Sequence, residues 1–68
     1  MRVQVDCRNG DEPRAFYLGT RRLHVVRVLE RIAEDSMRRF KVRVHDGRVF
    51  TLSKDTAKDE WRLAGVAS

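Results

Sequence analysis

Sixty-eight residues allow one domain, 1–68, and a chain of this length buries only about 60% of the surface its unfolded form exposes. The hydrophobic share of 41% is enough for a fold, while the charged share of 37% exceeds the usual quarter and must lie mostly on the surface. One cysteine, Cys7, excludes an internal disulfide framework and a multi-cysteine zinc set. No apolar run approaches the roughly 18 residues of a membrane span and no signal-peptide core is present, so a cytoplasmic, reducing setting is expected.

Arg2–Arg8 alternates strictly and predicts a strand with Val3, Val5 and Cys7 inward. Asn9-Gly10 has the look of a two-residue turn, but that register would set Cys7 opposite Glu12. A longer loop from Arg8 to Pro13 sets Val5 against Phe16 and Val3 against Leu18 and keeps one apolar face. Arg14–Leu18 then forms a second strand. Gly19-Thr20 fits a tight turn that pairs Phe16 with Leu23 and Tyr17 with Arg22.

Arg21–Asp35 reads two ways. Leu23 and Val25 suit the inner face of a strand, and the doublet Val25-Val26 breaks the alternation as a bulge would. Val25, Val28, Leu29, Ile32 and Ala33 also fall at helical spacing. The expectation is a strand to about Leu29 followed by a turn or short helix to Ser36. Arg38–Val44 alternates with Phe40, Val42 and Val44 inward. A three-residue loop, His45–Gly47, opposes Val42 to Phe50 and Phe40 to Leu52, with Gly47 in the left-handed position. After a polar connection from Asp55 to Asp59, a last strand runs from Glu60 to Val66 with Trp61 and Leu63 inward. The expected fold is all-β: an antiparallel meander of five or six strands rolled into an SH3-like barrel. The alternative is α+β with a helix near residues 25–35.

Gly19-Thr20-Arg21-Arg22-Leu23-His24-Val25 with Val28-Leu29-Glu30-Arg31, then Asp46-Gly47-Arg48-Val49-Phe50-Thr51-Leu52 and Asp59-Glu60-Trp61-Arg62-Leu63, resembles small uncharacterised bacterial β-domains. Such domains occur as free-standing proteins and as appendages. The resemblance implies a fold and carries no activity to any residue.

The charge is more informative. Fifteen Lys and Arg, twelve of them arginine, stand against ten Asp and Glu, for a formal net charge of +5. All of that excess lies in residues 2–48. Such a field suits nucleic acid or another polyanion, or serves solubility alone. Tyr17, flanked by Arg14 and Arg22, is placed to stack a base while the guanidinium groups hold phosphate. Arg39, Lys41 and Arg43 share an outer sheet face. These six residues are the candidate nucleic-acid site.

Catalytic signals are weak. Cys7 reads as a buried structural thiol, and His24 and His45 lack metal-ligand spacing and read as solvated. The carboxylates near turns read as turn formers, and no glycine-rich phosphate loop occurs. No catalytic residue, metal or cofactor is expected. The expected function is weak, non-catalytic binding of nucleic acid through a basic sheet face, with single strands as the candidate partner. The alternative is a protein module for an acidic or extended partner segment, with the Val26 and Val28 side of the third strand as its patch. The chain is expected as a monomer or weak homodimer.

Overall fold

The computed structural model describes residues 1–9 and 12–67, and every one of its regular elements is a β-strand. The strands are β1 (Gln4–Arg8), β2 (Glu12–Leu18), β3 (Arg21–Glu34), β4 (Met37–Val44), β5 (Val49–Asp55) and β6 (Glu60–Ala67). They form a six-stranded sheet in sequence order, each strand antiparallel to the next. The sheet curls into a half-barrel.

Alternation decides which side is concave. Phe16, Leu23, Phe40, Val42, Val44, Phe50, Leu52 and Trp61 pack there with Val3. Phe16 meets Phe50 edge-on at 5.2 Å between ring centroids, and Phe40 lies 5.6 Å from Trp61. Lys54, paired with Trp61 across β5 and β6, holds its ammonium over the indole at 5.7 Å from the ring centroid and reaches Asp59 at 3.1 Å. The N-terminal residues seal one stretch of the rim: the amide of Val3 donates to the carbonyl of Trp61, and that of Leu63 to Met1.

β3 is the element that curls the sheet. Its 14 residues would span about 45 Å if straight, yet the longest dimension of the molecule is 31 Å. Two bulges bend it. Val25 faces Val44 and Arg27 faces Arg43, so Val26 is extra; Val28 faces Val42 and Glu30 faces Lys41, so Leu29 is extra. β3 pairs with β2 from Arg21 to His24 and with β4 from Val25 onward, so the change of partner falls just before the first bulge.

Several expectations need correction. The stretch expected to leave the strand at Leu29 stays extended to Glu34, and the alternative helix near 25–35 is a bulged strand. A two-residue turn, Asp35-Ser36, with Asp35 at φ 43°, then opens β4. The first connection is shorter than Arg8–Pro13, because Arg8 already pairs with Glu12. Asp6 faces Ala15 and Cys7 faces Pro13, leaving Arg14 as an extra residue that shifts the register. Cys7 is exposed. It lines a cleft of about 510 Å³ with Val3, Val5, Lys54 and Trp61 between β1 and β6.

The hairpins follow the expected registers. Val5 faces Phe16, Phe16 faces Leu23, Val42 faces Phe50 and Phe40 faces Leu52. Gly47 takes φ 92°, and the amide of Val44 donates to Arg48 across the three-residue loop at 2.9 Å.

Candidate nucleic-acid interface

Because Phe40, Val42 and Val44 of β4 point into the core, Arg39, Lys41 and Arg43 stand on the convex side and are exposed. About 7 Å separates successive members along the strand. The bulge at Val26 brings a fourth cation beside them, since Arg27 faces Arg43 in the adjacent strand. Ile32 faces Arg39, and Glu30 faces Lys41. Glu30 lowers the local charge, although it makes no ion pair with Lys41.

The side chains of these four cations have no hydrogen-bond or ion-pair partner among the described residues, a property they share with Arg14 and Arg21 but which here falls on neighbouring positions of two paired strands. Several other arginines are engaged. Arg22 reaches Asp6 at 3.1 Å, Arg48 reaches Asp46 at 2.8 Å, and Arg2 and Arg62 share Glu60. Arg31 clamps Glu12 with two donors, Nε and Nη2. That bidentate hydrogen bond holds the Glu12 carboxyl below its ordinary value and raises the Arg31 guanidinium. Asp46 is lowered as well, first by the Arg48 amide it accepts from and then by the Arg48 side chain.

The six residues expected at one site do not lie together. Arg39, Lys41 and Arg43 form the β4 row. Tyr17 is half-buried and faces Arg22 on the far half of the sheet. From Arg22 to Glu30, the partner of Lys41, β3 runs about 26 Å around the bend. Arg14, the bulged residue of β2, lines a different groove with Val25–Val28. The β4 row therefore lacks an aromatic stacking platform, and Arg22 is already held by Asp6. Arg27 escaped the sequence reading because its place depended on the bulge at Val26.

His24 and His45 are exposed, as expected, and Trp61 belongs to the core. Among the described residues no group of three His, Cys, Asp or Glu side chains is placed to hold a metal ion. No family model, curated protein or solved structure matches the chain.

Proposed function

We propose that this chain is a non-catalytic domain that holds nucleic acid by its phosphates through the convex face of β3 and β4. The observation that carries this reading is the cluster of Arg27, Arg39, Lys41 and Arg43, four exposed cations on adjacent strands that face a single carboxylate, Glu30, and make no ion pair with it. Arginine forks fit phosphate oxygens in pairs, and each phosphate neutralised releases condensed counterions. With no aromatic ring beside the row, binding is directed to the backbone and bases are not read. Duplex and single strand should therefore bind with similar affinity. We read the half-barrel as SH3-like, on the strength of a long bent third strand shared by both halves of the sheet.

The test is the double reversal Lys41→Glu with Arg43→Glu, read by fluorescence anisotropy of labelled oligonucleotides at low salt. Both residues are exposed on the convex side, so circular dichroism should show an unchanged fold. Affinity should fall about tenfold or more. Arg22→Glu, on the other half of the sheet, should leave it within about twofold. Equal losses from the two changes would remove the β4 face as the site.

A further inference from the structure

β2 and β3 part company after the pair Ala15 and His24. The ladder stops where β2 reaches the bulged Arg14 and then Pro13, which has no N–H to donate. Beyond that point Val25–Val28 of β3 pairs with β4 on one side and with no described strand on the other. The gap is a groove of about 270 Å³ between Arg8 and Pro13 on one wall and Val25–Val28 on the other. Val25 and Val28 are half-buried at its base, Pro13 is buried, and Val26 is 59% exposed beside them.

Three arginines, Arg8, Arg14 and Arg27, line this groove together with one carboxylate, Glu12. Glu12 is clamped by Arg31 and also feels the charge of Arg8, while Arg14 and Arg27 have no hydrogen-bond or ion-pair partner among the described residues. Unpaired strand backbone, a valine base and a cationic rim form one binding surface. The backbone takes another strand, the base takes small aliphatic side chains, and the rim takes carboxylates. A phosphate backbone would use the rim and leave the other two unmatched.

We propose that an extended, acidic segment of another protein adds as a strand to β3 at Val25–Val28, with aliphatic side chains in the groove and carboxylates on Arg8 and Arg14. This second site borders the β4 face, with Arg27 common to both, and does not rest on the nucleic-acid reading.

The probe is a labelled peptide of alternating valine and glutamate, titrated into the isotopically labelled protein and followed by amide shifts. Saturable binding is expected, with shifts concentrated at Glu12–Arg14 and Val25–Val28 and slower hydrogen exchange along that edge of β3. Arg8→Glu with Arg14→Glu should weaken the peptide about tenfold or more while oligonucleotide affinity stays unchanged. A valine–lysine peptide should not bind. No saturation at millimolar valine–glutamate peptide, or shifts that follow Lys41 and Arg43, would overturn the proposal. The variant's oligonucleotide affinity reports separately on the β4 face.

Discussion

Phe16 and Phe50 are each at most 1% exposed and meet across the half-barrel, so either ring supports both walls of the core. Replacing a buried phenylalanine by alanine costs about 3–5 kcal/mol. A chain of this size has a total stability of about 3–10 kcal/mol. Phe16→Ala should leave the domain largely unfolded at 37 °C or nearly so, which a thermal melt would show at once. A smaller effect belongs to Glu12. Its carboxyl is lowered by Arg31, so the pair contributes fully above the ordinary value near 4.5 and is lost as pH falls through the folded value. Both side chains are largely exposed to solvent, so screening keeps the contribution small. Glu12→Gln should lower the melting temperature by a few degrees at neutral pH. The difference from wild type should shrink towards zero in acid.

At the scale of the element, turns and bulges place the functional side chains. Gly47 holds φ 92°, and a Cβ there would meet nothing within 4 Å, so Gly47→Ala isolates the backbone term. It should cost about 1–2 kcal/mol, a drop of roughly 4–16 °C in melting temperature for a domain of this size. The same His45–Gly47 loop shows how much the residue pattern reveals, because one register keeps Phe40, Val42, Phe50 and Leu52 on a common face. β3 was harder to read for a physical reason. Its concave positions are Leu23, Val25, Val28, Arg31 and Ala33, and each bulge stretches the strand period from two to three residues. Spacings of three imitate a helix face. The β4 row was legible from simple alternation, whereas Arg27 and the groove at Arg14 each depend on a bulge that the sequence marks faintly or not at all.

Over the whole molecule, the same curl that closes the core spreads the positive charge over separate surfaces. Tyr17 and Arg22 lie on one half of the sheet, the β4 row on the other, and the groove between β2 and β3 where the halves separate. Net charge therefore understates the local field at β4, where four cations face one carboxylate. The measurement that tests this most directly is the salt dependence of duplex affinity. If Arg27, Arg39, Lys41 and Arg43 each neutralise a phosphate, log K should fall against log salt with a slope of about −3.6. That slope corresponds to a loss of about 150-fold between 50 and 200 mM salt. The variant carrying Lys41→Glu and Arg43→Glu should show a clearly shallower slope. An affinity that stays flat with salt, or a slope that the double reversal leaves unchanged, would contradict the assignment of the β4 face.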